Sequence, residues 1–153
     1  MQITSAMKMV SAAKLKKAQD AIVAMRPYSD TLTQLIQNLS DSLDGDGQNP
    51  YTQQREVKSV IIIAVTSNRG LCGAFNSNVI KQCRQLIQDQ YAGKQVKLVT
   101  IGKKATELLA KSASITSSHD SLFDDLNYQN TGEVAQHIMD QFSEGTVDEV
   151  VLV

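Results

Sequence analysis

Apolar side chains over the first forty-three residues recur at alternating steps of four and three: Ala18, Ile22, Met25, then Leu32, Ile36, Leu39 and Leu43, with polar Ser29 filling the slot between Met25 and Leu32. That spacing is a heptad seam, and it predicts a long amphipathic helix. An earlier seam of Ile3, Met7 and Val10 is offset from it by one residue, the drift that a straight helix of about 3.6 residues per turn imposes. Pro27 has no amide hydrogen and crowds the preceding turn, so the segment reads as one helix, continuous or kinked once, or as two with the first ending near Met25. At ~1.5 Å per residue such a helix is roughly 64 Å long. The remaining hundred or so residues would form a body with a radius of gyration of about 13 Å. The seam is therefore expected to overhang its own domain and to need a partner, and no later stretch repeats the pattern at comparable length.

Beyond the seam the period changes. Turn and breaker residues from Asp44 to Pro50 open a linker over 44–56, which separates a shaft helix over 1–43 from a domain over 57–153. Ser59 to Val65 is an unbroken apolar run rich in β-branched residues, as in a central strand buried on both faces. Helical spacing follows in Phe75, Val79, Leu86 and Ile87, then a strand over 96–101, and a helix over 103–111 with Leu108 and Leu109 inward. A short strand over 114–117 comes next, then a polar loop over 118–129. The last helix is capped by Thr131, buries Val134, Ile138, Met139 and Phe142, and stops at Gly145. A final strand over 147–153 reads as central and uncovered, which suggests a domain incomplete at its C-terminal end. This alternation predicts an α/β fold: a mainly parallel, three-layer, Rossmann-like sheet preceded by a long N-terminal coiled-coil helix.

Charge changes the picture more than composition does. The net charge is −1, yet residues 1–29 carry five cations against Asp20, and from Ser112 onward there are eight acids and no Lys or Arg. Between Val57 and Gln88 stand Lys58, Arg69, Lys81 and Arg84 with no acid among them. Such segregation reports on partners. Lys14, Lys16 and Lys17 have no interleaved aromatics, which argues against nucleic acid. The small residues Ala6, Ala12, Ala13, Ala18 and Ala21 favour close packing against protein over a membrane surface. No window is apolar for the ~18 residues a bilayer demands. Cys72 and Cys83 are too far apart in sequence for a CxxC pair and read as reduced thiols.

Candidate chemistry is thin. Thr66 to Ala74 stands where an α/β fold binds ligands, but Gly70 and Gly73 match neither GxGxxG nor a phosphate loop, and a tight turn accounts for both glycines. Cys72 with His119 or His137 could form a nucleophile and base, although nothing nearby in sequence orients them. Asp124 and Asp125 are adjacent and cannot face one site as acid and base. No catalytic, metal or cofactor-binding residue is assigned.

Two stretches, Ile3-Thr4-Ser5-Ala6-Met7-Lys8-Met9-Val10-Ser11-Ala12-Ala13-Lys14-Leu15 and Thr66-Ser67-Asn68-Arg69-Gly70-Leu71-Cys72-Gly73-Ala74-Phe75-Asn76, together with Arg26-Pro27-Tyr28, resemble the gamma subunit of F-type ATP synthases along the whole chain. The resemblance implies a central rotor shaft, truncated at both ends, in which this helix pairs with the family's own C-terminal helix. It implies as partners the alpha and beta subunits of the catalytic hexamer, the epsilon subunit and the c-ring of the membrane sector, with ATP chemistry left to the partners and no cofactor on this chain. Its implied location is peripheral, on the cytoplasmic face of a bacterial inner membrane or the matrix side of an organellar one. Residue by residue it implies beta-subunit contacts at Met7 and Lys8 on the shaft and at Arg69, Ala74, Lys81 and Arg84 on the α/β domain. Asn68 stands where many relatives have Asp, and the regulatory cysteine pair of chloroplast relatives has no match. The competing readings are a small-ligand or nucleotide-binding module with a helical dimerisation arm, and an enzyme built around Cys72.

Overall fold

The computed structural model describes residues 2–43, 49–51, 53 and 55–153; the breaker run over 44–48 and the side chains of Ile3 and Leu43 lie outside what is described. The chain divides into two compact units, Met1–Thr52 and Gln53–Val153.

The first unit is built on one helix, α1 (Gln2–Leu43), which runs through Pro27 without a break. The missing amide at Pro27 leaves one upstream carbonyl without its usual donor. Just beyond it the Thr31 and Thr33 hydroxyls donate to the carbonyls of Pro27 and Ser29, both at 2.9 Å. A single helix has no interior, so the seam stays in solvent: Met7, Ile22, Met25 and Ile36 are all more than half exposed. A helix this long gains most of its stability from packing an apolar face. That face is unused within the unit.

The second unit is a four-stranded, all-parallel sheet in the order β3-β2-β1-β4, with β1 (Ser59–Val65), β2 (Gln95–Ile101), β3 (Ile115–His119) and β4 (Glu149–Leu152). The helices are α2 (Phe75–Gln85), α3 (Lys103–Leu109) and α4 (Tyr128–Ser143). Alternation along β1 sends Val60, Ile62 and Ala64 to one face, where they meet Ile80 and Cys83 of α2 and Ala105 and Leu109 of α3. Ile61 and Ile63 go to the other face, against Val134 and Ile138 of α4. Both faces of β1 are thus buried, as a parallel central strand requires, and the three layers are those the alternation predicts. Burial pushes the Cys83 thiol up to about 11, so it packs as a small apolar group. A π-helical stretch, Leu86–Gln90, ends α2 ahead of Tyr91. The Tyr91 ring is buried, and burial together with the Glu149 carboxylate that its hydroxyl donates to at 2.8 Å pushes the phenol up to about 12.

Three expectations need correction. The last strand is not central: β4 pairs with β1 alone and stands at the edge of the described sheet. Thr131 does not cap α4; the helix starts at Tyr128, and the Asn127 side chain accepts the Asn130 amide at 2.9 Å, while the Thr131 hydroxyl bonds back to the Asn127 carbonyl. Leu108 and Met139 are exposed, because Leu109 and Ile138 beside them take the inward positions.

The entrance to β1 is held by Asp148, whose carboxylate accepts the amides of Lys58 at 2.9 Å and Ser59 at 2.8 Å. These bonds hold its carboxyl below the usual range, with Arg55 and Lys58 adding positive charge. A carboxyl lowered by folding contributes stability above its unfolded pKa and loses it as pH falls through the folded one. Urea midpoints followed from about pH 7 down to about pH 3 are expected to fall less steeply in Asp148→Asn than in the parent, from a lower neutral starting point. Equal slopes would remove Asp148 as a source of acid sensitivity.

Candidate partner-binding surface

The loops that leave the carboxyl ends of β1, β2 and β3 are knitted into one another. Thr66 donates its amide to the Ile101 carbonyl at 2.8 Å, and its hydroxyl accepts the Ala105 amide at 2.7 Å. Asn68 bridges the other two loops: its amide nitrogen donates to the Asp120 carbonyl at 2.9 Å and its oxygen accepts the Lys103 amide at 2.9 Å. That job needs a donor and an acceptor on one side chain, which an aspartate cannot supply. Farther on, Ser67 and Asn76 bond to each other and fill the turn, with the Cys72 sulfur 3.8 Å from the Ser67 hydroxyl.

From this rigid base Arg69 and Leu71 project into solvent. Leu71 has φ of 62° and is fully exposed. A left-handed backbone costs a leucine about 1–2 kcal/mol, and here the displaced side chain buries nothing in return. Strain retained without a packing gain is common at contact sites. Phe75, half exposed, lies with Phe123 along an apolar cleft of about 440 Å³ between Val65 and Asn68.

Along α2, Ala74, Lys81 and Arg84 fall on one helical face, since seven and three residues are close to whole turns. Lys81 and Arg84 line a groove of about 490 Å³ with Ser77, Gln88, Asp89 and Leu108. Lys81 and Arg84 are both exposed, but Arg84 is also tied down: its Nε donates to the Ser112 hydroxyl at 3.1 Å and its Nη2 to the Leu108 carbonyl at 3.0 Å. Arg84 thus braces α2 against the end of α3. Lys58 does not join these cations. It precedes β1, so the seven residues of that strand separate it from the Arg69 loop, and it pairs with Glu56 at 3.0 Å. Lys103, directly bonded through its amide to Asn68, does share the Arg69 edge; sequence spacing carried no signal for it. Met7 and Lys8 belong to the first unit and are exposed on α1.

The structure does not assemble a catalytic pair at Cys72. His119 and His137 line a different cleft, with Ser118, Asn130 and Glu133, and the His137 ring meets Gln141 at 3.1 Å. Among the described residues no cluster of three or more His, Cys, Asp or Glu side chains could hold a metal ion, and no helix is long and apolar enough to cross a membrane.

A sequence profile of the family described as ATP synthase matches the chain over residues 1–153. The chain is similar to the ATP synthase gamma chain of Flavobacterium psychrophilum, with 56% identity over 153 residues, all of this chain and 53% of the relative. It is 48% identical to that of Christiangramia forsetii, again over its whole length and 54% of the relative. It is 38% identical to that of Chlorobaculum tepidum over 157 aligned positions. The chain spans about half the length of these relatives.

Proposed function

This chain belongs to the ATP synthase family, among its gamma chains, and from that membership we propose that it is part of a central-stalk subunit, turned by the membrane ring and meeting the alpha and beta subunits. The observation that carries the reading is α1: forty-two helical residues whose apolar seam is exposed from Met7 to Leu39. A seam of that kind suits half of an antiparallel coiled coil, with its other half in the family's C-terminal helix.

The chain does no ATP chemistry itself. It couples proton flow to ATP synthesis or hydrolysis by presenting different contacts to three otherwise equivalent beta subunits, which biases their nucleotide states in turn. Met7 and Lys8 on α1, and Arg69, Ala74, Lys81 and Arg84 on the second unit, face the acidic loops of those subunits. Epsilon and the c-ring are its partners at the membrane end, and its location is peripheral on the cytoplasmic or matrix side. Against a nucleotide-binding module stands the interior of the Thr66 to Ala74 turn, which the Ser67 and Asn76 side chains fill where a phosphate would have to sit.

The test is stoichiometry. ATP synthase purified through a tag on this subunit should contain one copy of it per hexamer of alpha and beta. Recovery of the tagged subunit free of alpha and beta, or as a dimer of itself, would overturn the shaft reading.

A further inference from the structure

The chain entering the second unit is gripped before its first strand begins. Arg55 reaches a residue 87 positions away: its Nη2 donates to the Phe142 carbonyl at 2.7 Å, and its guanidinium carbon lies 4.7 Å from the centre of the Phe142 ring. Carbonyls in the last turn of a helix lack intrahelical partners, and a cation there also meets the negative end of the helix dipole. The cradle is shaped for this group. Gly145, at φ of 74°, ends the turn and donates its amide to the same Phe142 carbonyl at 3.1 Å; a Cβ at Gly145 would come within 3.0 Å of the Arg55 Nη1. Three residues later Asp148 takes the amides of Lys58 and Ser59, and its own amide donates to the Ser59 carbonyl at 2.9 Å. One turn, 142–148, therefore holds the segment 55–59 at both ends. Arg55 keeps this position although its Nε is buried without a hydrogen-bond partner, a cost that a merely solubilising arginine would avoid by staying in water.

Resting on the shaft reading, we infer that Arg55 is a positioning residue for torque: its clasp on Phe142 passes force from the α1 side of the chain into α4 and β4. A pull or twist on the chain ahead of Gln53 reaches Arg55 first. With the clasp in place the load is shared across a stacked guanidinium, a short hydrogen bond and the Asp148 carboxylate. Without the clasp the load falls at Lys58 and Ser59, on the Asp148 bonds and the first rung of the β1 ladder, the Gln95 amide on the Lys58 carbonyl at 2.9 Å, and bonds loaded at a strand end open one at a time.

The experiment uses the assembled enzyme in vesicles and reads two quantities, the ATP hydrolysis rate and the protons pumped per ATP hydrolysed. Arg55→Ala should leave hydrolysis within roughly twofold of the parent while pumping per ATP falls to about half or less. Arg55→Lys, which keeps the charge but loses the planar fork and the stack, and Phe142→Leu, which keeps the carbonyl but loses the ring, should show the same split. A parental pumping ratio in Arg55→Lys and Phe142→Leu, with the complex intact, would overturn the inference and leave the shaft reading standing. Recovery of the parent subunit free of alpha and beta, or as a dimer of itself, would sink both, and it is told apart because no substitution is involved.

Discussion

Gly102→Ala is expected to unfold the second unit. Gly102 follows β2 at φ of 97°, and a Cβ there would lie 2.1 Å from the Thr66 carbonyl oxygen and 2.9 Å from its carbon. Both are backbone atoms of the residue that follows β1, so no rotamer change can relieve the overlap. Thr66 is itself fastened, by its amide to Ile101 and by its hydroxyl to the Ala105 amide. Making room means parting the carboxyl ends of the two central strands and giving up those bonds. The added methyl also meets an unfavourable φ. Together these place the substitution among the exceptional losses of about 4 kcal/mol or more, a large share of an ordinary domain's stability. Hydrogen exchange at the amides of Ile61 to Ala64 reads the second unit independently of α1, and protection there should vanish. Gly132→Ala is the control. Its Cβ meets nothing within 4 Å in the second turn of α4, so it should gain up to about 1 kcal/mol. Equal protection in the two variants would mean that the approach of Gly102 to Thr66 is not what limits the fold.

Reversing Arg69 and Lys81 together to glutamate should lower ATP turnover of the assembled enzyme roughly tenfold, equivalent to about 1.4 kcal/mol of lost coupling. These two are chosen over Arg84, likewise exposed, because Arg84 braces the end of α3 and its loss would mix a folding defect into the result. On the proposed contact, acidic partner loops would be repelled at both places, and like charges brought face to face disfavour a contact far more than a missing pair does. Screening supplies an internal check. The gap between parent and variant should narrow as salt rises, because exposed charges interact over a Debye length of about 8 Å at physiological ionic strength and less at higher salt. Protection of the β1 amides should not change. Parental turnover at low salt would remove these cations from the contact surface.

Residues whose structure depends on near neighbours were legible in the chain. The heptad seam announced α1 because side chains three and four apart share a helical face whatever else the protein does. Ser59 to Val65 announced a central strand because only burial on both faces tolerates so many consecutive apolar side chains. The Arg69 loop read only as a tight turn from its two glycines, and its role as a contact was an implication of the family resemblance alone. Its companions were not legible. Asn68, which stood out in the sequence only as a departure from the family's Asp, ties together the loops after β2 and β3 and holds the Lys103 amide.

By itself the sequence determined the long helix, the buried first strand, the alternation of strands and helices and, through its two motifs, the family. All of these are properties of consecutive residues, set by side-chain period, backbone preference and local composition. Tertiary structure alone decided that β4 lies outside β1, that Gly102 must have no side chain, that Arg84 is a brace as well as a cation, and that Arg55 grips the end of α4. Each of those depends on atoms brought together from positions 24 to 90 residues apart, and a hydrogen bond or a steric overlap is decided within a few tenths of an ångström, a precision that residue order does not carry.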